Sequence, residues 1–286
     1  MNCFVRGAEL RALRCLQVVF VAFALCAAGV SGCASGVNFT DPAGPGLIVR
    51  YAPARSDAAV TRRVLRVVTL NVKFAEEIDA AIAALRGNPR LRDADLIALQ
   101  EMDDRGVDRI ARALSLNAVY YAASIHPTNR KKFGPALLTP WPVERGWKVL
   151  LPHEGFGRRQ RRTATGANIR VGERLVRAYS VHLETLLRMS EGERRDQAAA
   201  VIENATGWNG PVVVAGDMND FRIPEYFEAY GFQWANRGAG ASTWLLGLDH
   251  VFLRGLAPSS RAIRSGVEDP SGASDHKAVW VEVPLA

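Results

Sequence analysis

PVVVAGDMND (211–220) decides how this chain is read. Val212, Val213, Val214 and Ala215 are apolar at every position, so a strand there must be buried on both faces. Gly216 then breaks the run, and Asp217, Met218, Asn219 and Asp220 follow as a polar loop. A buried strand supplies rigidity and its end supplies access, which is what a site of fixed geometry requires.

The same grammar recurs along the chain. VLRVVTLNV (64–72) reads as a buried strand with Asn71 at its end, and ADLIALQ (94–100) runs into Glu101. RTATGANIRVGERLVRAYSVHL (162–183) alternates about Gly172-Glu173, predicting a long hairpin that ends near His182. LDHVFL (248–253) carries Asp249 and His250 at its start, and Ser274-Asp275-His276 precedes KAVWVEV (277–283). LNAVYYAAS (116–124), RAIRSGV (261–267) and two strands in GPALLTPWPVERGWKVLL (134–151), broken by Pro140 and Pro142, complete the strands. Helical spacing marks FAEEIDAAIAALRG (74–87), RGVDRIARALSL (105–116) and SEGERRDQAAAVIENATG (190–207), the last with Ser190 and Glu193 placed for a capping box. Crossover helices mixed with hairpins predict an α/β protein whose sheets are mixed or largely antiparallel. Pattern alone leaves the strand order open.

The chain has 286 residues, 48% of them hydrophobic, enough for one sizeable core. Its formal net charge of +7 favours anionic partners without choosing among nucleic acid, phospholipid and phosphorylated metabolites. The cysteines are Cys3, Cys15, Cys26 and Cys33, so no disulfide framework or thiolate metal cluster belongs to the chain beyond Cys33. Arg6, Arg11 and Arg14 precede an apolar run from Leu16 to Ala28 that is too short for a permanent span. Val30-Ser31-Gly32-Cys33 then resembles the bacterial lipobox. That resemblance implies cleavage before Cys33 and lipidation of its sulfur, hence a lipid-anchored protein of the bacterial cell envelope, outside the cytoplasm. The organisation expected is a signal peptide over 1–32, an acylated cysteine and tether over 33–63, and a catalytic domain over 64–286. Leu47-Ile48-Val49 is a candidate edge strand within the tether.

Taken singly, an Asn, Asp or Glu at a strand end is a cap or turn residue, and a lone histidine is a core residue. The ordered set is more specific: L-N at 71, L-Q-E at 101, V-H-L at 182, G-D-M-N at 217, D-H-V at 249 and S-D-H at 275. This series resembles the endonuclease/exonuclease/phosphatase superfamily from about residue 64 to 286. His182 is similar to the branch holding pancreatic deoxyribonuclease and the sphingomyelinases; the apurinic-site endonucleases have tyrosine there. The resemblance implies a four-layer α/β sandwich, with two mixed β-sheets face to face and helices outside.

It also implies site roles. Glu101, Asn71 and Asp275 match metal-side positions for Mg²⁺ or Mn²⁺. Asp217 and Asn219 match the pair handling the attacking water and the phosphoryl oxygens. His276 and His182 match phosphate-facing histidines, and Asp249 matches the carboxylate that orients His276. The activity implied is metal-dependent hydrolysis of phosphoester bonds, foremost by a phosphodiesterase or nuclease acting outside the cytoplasm. A sphingomyelinase-like enzyme for phospholipids or inositol phosphates is the alternative, and a non-catalytic binding lipoprotein the third class. The partners implied are a phosphodiester substrate, nucleic acid included, and a membrane through the lipid; no protein partner is implied.

Two stretches depart from the pattern or stay open. The family's G-N-A-I-L-S is here Gly134-Pro135-Ala136-Leu137-Leu138-Thr139. Arg158-Arg159-Gln160-Arg161-Arg162 reads equally as a solvated basic turn or as a phosphate or lipid contact. The sequence shows no long apolar loop to enter a bilayer, which favours soluble substrates. The six tryptophans, irregularly spaced, are assigned to core or loop packing.

Overall fold

The computed structural model describes residues 37–53, 64–256 and 262–285; the leader and Cys33 lie outside the described residues. The strands are β1 (Val37–Asn38), β2 (Gly46–Arg50), β3 (Val64–Asn71), β4 (Leu96–Met102), β5 (Asn117–Tyr121), β6 (Ser124–Ile125), β7 (Lys132–Thr139), β8 (Val143–Leu150), β9 (Thr163–Val171), β10 (Arg174–His182), β11 (Val212–Asp217), β12 (Gln233–Trp234), β13 (Asp249–Arg254), β14 (Arg264–Glu268) and β15 (Ala278–Pro284). The helices are α1 (Ile78–Gly87), α2 (Asp104–Leu114), α3 (Glu191–Thr206) and α4 (Ile223–Ala229).

Two mixed sheets lie face to face. One runs β1-β6-β7-β4-β3-β15-β14, with β5 pairing β7 and β2 pairing β5; the other runs β12-β13-β11-β10-β9-β8. Period-two burial explains the continuous apolar strands. Leu65 and Val67 of β3 point into the core between the sheets, while Val68 and Leu70 point to the helix side. Val213 and Ala215 of β11 join that same middle core, and Val212 and Val214 pack under the other helices. α1 and α2 cover the first sheet with Leu85 and Ile110. α3 and α4 cover the second with Val201 and Phe227. The result is the four-layer sandwich.

Local chemistry sets the element ends. Ser190 accepts from the Glu193 amide, and Glu193 returns a carboxylate to the Ser190 amide, so the capping box opens α3. Gly172 takes φ 60° in the two-residue turn joining β9 to β10. The helix read over 74–87 is shorter: Lys73, Phe74 and Ala75 all have positive φ, so a left-handed turn precedes α1, which begins at Ile78. α4, β1 and β12 carried no clear sequence signal.

The 33–63 stretch is divided. Residues 37–53 belong to the compact folded unit. β2 adds to β5 along Gly46–Arg50, and Leu47, Val49 and Tyr51 pack on the helix-side core. Lys148, 6% exposed, donates to the carbonyls of Phe39 (3.0 Å), Asp41 (2.9 Å) and Gly44 (2.6 Å), fixing this segment to β8.

Topology gathers the strand ends. β3 and β4 are parallel, as are β10 and β11. β13 runs antiparallel to β11, so Asp249 at its start pairs with Asp217 at the other's end. β15 runs antiparallel to β3, which brings the residues before Ala278 to the same edge as Asn71. Beneath that edge a buried polar chain crosses between the sheets. Thr69 donates to Gln100 (3.3 Å), Gln100 to Ser180 (3.0 Å), and Ser180 to the Leu99 carbonyl (2.9 Å).

Candidate active site

Asn71 ties the two sheets together at the edge. Its Nδ2 donates to Glu101 Oε1 at 3.2 Å and to Asp217 Oδ2 at 3.0 Å, and its Oδ1 accepts from the Lys73 amide. Glu101 sits at a register shift between β4 and β7 with φ 60°, so a bulge turns its side chain into the site. The Phe74 amide donates to Glu101 Oε2 at 3.0 Å. Asp217 follows Gly216, where φ is 154° and a Cβ would lie 1.9 Å from the Val181 carbonyl oxygen. That close approach demands glycine and lets β11 run beside His182. Asn219, at φ 49°, gives its amide to Asp217 Oδ1 and its Nδ2 to the Leu183 carbonyl.

His276 Nδ1 lies 2.9 Å from Asp249 Oδ2, and its Nε2 lies 3.9 Å from Asp217 Oδ2. His182 Nε2 lies 3.6 Å from Asp217 Oδ2 and 3.9 Å from Glu101 Oε1. Asp275 is placed differently from these. It is exposed, with a 3.4 Å bond from the hydroxyl of its neighbour Ser274, and it reaches His276 only through its charge. Seven of the eight residues from the sequence therefore converge, and Asp275 stands at the margin.

The electrostatics divide the site in two. Burial opposes a charge on His276, but Asp249, Asp217 and Asp275 outweigh it and hold the imidazolium to about 10. Burial, then Arg162 and His276, push His182 well below the usual histidine value, so its ring is neutral. Burial lifts Glu101 above its ordinary value despite Arg162 and Asn71. Burial and the Asp249 charge lift Asp217 to about 7.

Two residues beyond the quoted motifs complete the floor. Arg162 forms a bidentate pair with Glu184 (2.9 and 3.1 Å), and its Nη1 lies 3.2 Å from His182 Nδ1. Burial opposes the Arg162 charge, yet Glu184 carries it above its usual value. The basic stretch thus ends in a buried arginine beside a site histidine. Glu184 stands two positions after His182, a spacing that alternation along β10 could have flagged.

The donor set fits a hard divalent cation. Glu101 and Asp217 offer carboxylate oxygens that share one amide hydrogen-bond donor, and burial raises both. Asp217, Asp249 and His276 also place ligand atoms within 4.8 Å of one another. An imidazolium with Nδ1 on Asp249 is a poor ligand, so the Glu101–Asn71–Asp217 side is the better seat.

At the rim, Leu187 is 94% exposed, Trp244 89%, Phe156 83% and Leu245 69%. Trp244 thus leaves the packing role expected of the tryptophans. Trp244, Leu245 and Leu246 (39% exposed) form a short apolar tip there, not a long apolar loop.

A sandwich of two mixed sheets with acids, amides and histidines at one edge defines a class, and comparison with known proteins agrees with it. The profile of the Endonuclease/Exonuclease/phosphatase family matches residues 51–276. The chain belongs to that family, whose enzymes hydrolyse phosphoester bonds. No curated protein matches it. Among solved structures, it is similar to an endonuclease/exonuclease/phosphatase from Beutenbergia cavernae at 20% identity and TM-score 0.61, covering 79% of this chain and 72% of that one. An endonuclease/exonuclease/phosphatase from Bacteroides vulgatus shares 15% identity at TM-score 0.61, with 79% and 100% covered. TDP2 from D. rerio, complexed with single strand DNA product, shares 16% identity at TM-score 0.61, with 77% and 99% covered.

Proposed function

We propose that this protein is a divalent-metal-dependent phosphodiesterase, nuclease-type in its chemistry, exported as a lipoprotein and held at the cell envelope by lipid on Cys33. One observation carries the catalytic reading. Asn71, Glu101, His182, Asp217, Asn219, Asp249 and His276 arrive from six chain segments and share one hydrogen-bonded edge. The DNA complex of TDP2 supports a nucleic-acid substrate by analogy of fold.

The chain's own groups divide the work. Glu101 and Asn71, with Asp217, would hold Mg²⁺ or Mn²⁺, which neutralises developing charge on a phosphoryl group and acidifies water. Asp217 takes a proton from the attacking water, and Asn219 fixes its direction. His276, charged and aimed by Asp249, donates to a phosphoryl oxygen. Neutral His182 and the Arg162 guanidinium steady the remaining oxygens.

The exposed tips at Leu187, Trp244, Leu245 and Phe156 favour a second reading, hydrolysis of phospholipid headgroups on the same centre. A screen of residues 36–286 with Mg²⁺ or Mn²⁺ against DNA, RNA, sphingomyelin vesicles and inositol phosphates separates the two. Hydrolysis of at least one diester, abolished by EDTA, is expected. Turnover that survives EDTA, or none on any phosphoester, would overturn the proposal.

A further inference from the structure

Beyond His182 the floor of the site continues as a row of rings. Phe133 lies 5.7 Å from His182, His126 lies 5.4 Å from Phe133, and Phe74 lies 4.6 Å from His126, centroid to centroid. The row begins at the reaction centre and returns to it, because the Phe74 amide holds Glu101.

Three arginines gather near this row. The Arg162 guanidinium sits 5.1 Å from the Phe133 ring centroid. Arg158 Nη1 lies 3.4 Å from His126 Nε2. Arg188 is brought in by its loop, whose backbone carbonyl accepts from the Phe156 amide at 2.7 Å and so joins the loop carrying Arg158. The charges feel one another. After burial, Arg158 lowers Arg188, with Glu184 opposing it; and after burial, Arg158, Arg162 and Arg188 together lower His126 to about 4.

The pairing of these cations is uneven. Arg162 is matched by Glu184, and the outward-facing Arg159 and Arg161 are matched by Glu154. Among the described residues no ion pair involves Arg158 or Arg188, although both are half-buried. Arg158 is positioned instead by His126, 5% exposed. Arginine can only donate, so His126 Nε2 is the acceptor and the ring is neutral. A carboxylate there would hold the guanidinium and cancel it; a neutral imidazole holds it and leaves the charge available. Arg158 has no carboxylate partner, and Arg188 feels only Glu184, which already holds Arg162 in an ion pair; the two half-buried guanidinium groups leave positive charge in excess and form a receptor for a phosphate, which they can grip with charge-assisted bonds.

We propose that Arg158 and Arg188, with His126 as the neutral acceptor that positions Arg158, form a second phosphate subsite, and that the preferred substrate is a phosphodiester carrying a further phosphate near the scissile one. This rests on the phosphodiesterase reading of the site and narrows its substrate class. The further phosphate has two chemical sources: the next unit of a nucleic-acid strand, or a phosphomonoester on a small polyol headgroup.

The test uses residues 36–286, which contain all three cores. kcat/KM is measured for two pairs of diesters: a thymidine dinucleotide with and without a terminal phosphate, and glycerophosphoinositol with and without a ring phosphate. Wild type should favour the phosphorylated member of at least one pair by about tenfold or more. Which pair responds identifies the source. In the Arg158→Gln/Arg188→Gln double variant that ratio should fall toward one. Thermal melts of the variant should match wild type, since both side chains lie at the rim. A ratio of one in wild type for both pairs, or an undiminished ratio in the variant, overturns the subsite. Calorimetric binding of the same pairs to His276→Ala keeps the two readings separable. Selective binding without any turnover by wild type would leave the subsite standing and remove the phosphodiesterase; turnover without selectivity would do the reverse.

Discussion

Asp249 and His276 stand 27 positions apart and share a 2.9 Å contact, so they should fail together when either is changed. The rise of His276 from 6.5 to about 10 corresponds to a preference for the imidazolium on the order of 5 kcal/mol. It is achieved against the penalty of burial, and Asp249 leads the groups that supply it. Asp249→Asn removes that charge while keeping the shape. Burial then pulls His276 back down toward its ordinary value, with Asp217 and Asp275 still opposing it, and the amide can favour the wrong ring tautomer. His276→Ala should lower kcat/KM by about 10²–10⁴-fold, the usual cost of losing an acid–base group. Asp249→Asn should be nearly as damaging, and the double variant little worse than His276→Ala, because groups that act as a unit are non-additive. The assay is the kcat/KM–pH profile on one soluble phosphodiester for wild type, both singles and the double. The alkaline loss of activity set by His276 should move to lower pH in Asp249→Asn. Independent, multiplying losses would refute the reasoning. So would an Asp249→Asn enzyme with near wild-type rate and only a lower melting temperature, the result expected if Asp249 merely closes a turn before β13.

The other predictions are shorter. Glu101→Gln should lose most activity, regain part of it at high Mg²⁺, and melt above metal-free wild type, because burial disfavours the Glu101 charge; unchanged activity would remove Glu101 from the metal side. Lys148→Met should cost about 1–3 kcal/mol in urea titrations by stranding carbonyls of the 39–44 loop. Burial lowers Lys148 from 10.5 to about 8, so between those values the unfolded chain binds more protons. Wild-type stability should therefore gain a rising contribution from pH 8 toward pH 10.5 that the variant lacks, and parallel pH–stability curves would contradict this. Intact-mass analysis of the mature protein should find acyl chains on Cys33, whereas an unmodified N-terminus elsewhere would exclude the anchor.

Sequence patterning carried the sheets and most of the site for a definite reason. Val212–Ala215 and Val67–Leu70 face hydrophobic layers on both sides, so burial writes itself as apolar runs, broken only by Thr69, and the residues that end them stand out. Other features depend on partners distant in the chain. β1 and β2 are held by Lys148, more than 100 positions away, and composition made their segment look like a tether. The bulge that aims Glu101 is a backbone event with no composition of its own. Arg162 and Glu184 are 22 residues apart, just beyond the paired ends of β9 and β10, and only the register of those strands brings them together. α4 is seven residues long with Pro224 in its first turn, too short for helical periodicity to emerge.

The charge balance of the edge joins these observations. Arg162 is matched by Glu184 and His276 by Asp249, while His182 is neutral. What remains is Glu101 and Asp217, two carboxylates bridged by one asparagine amide and both raised by burial. Two buried negative charges without a counter-ion are costly, and a phosphodiester would add a third. A hard divalent cation removes the conflict with the charge that is missing, whereas an added arginine would supply half of it and crowd the water that must attack. The same accounting separates this centre from the neighbouring cluster. There the excess is positive, on Arg158 and Arg188, and the complement is an anion. A carboxylate pair short of cations beside a guanidinium pair short of anions is an arrangement for a substrate that brings phosphate to both.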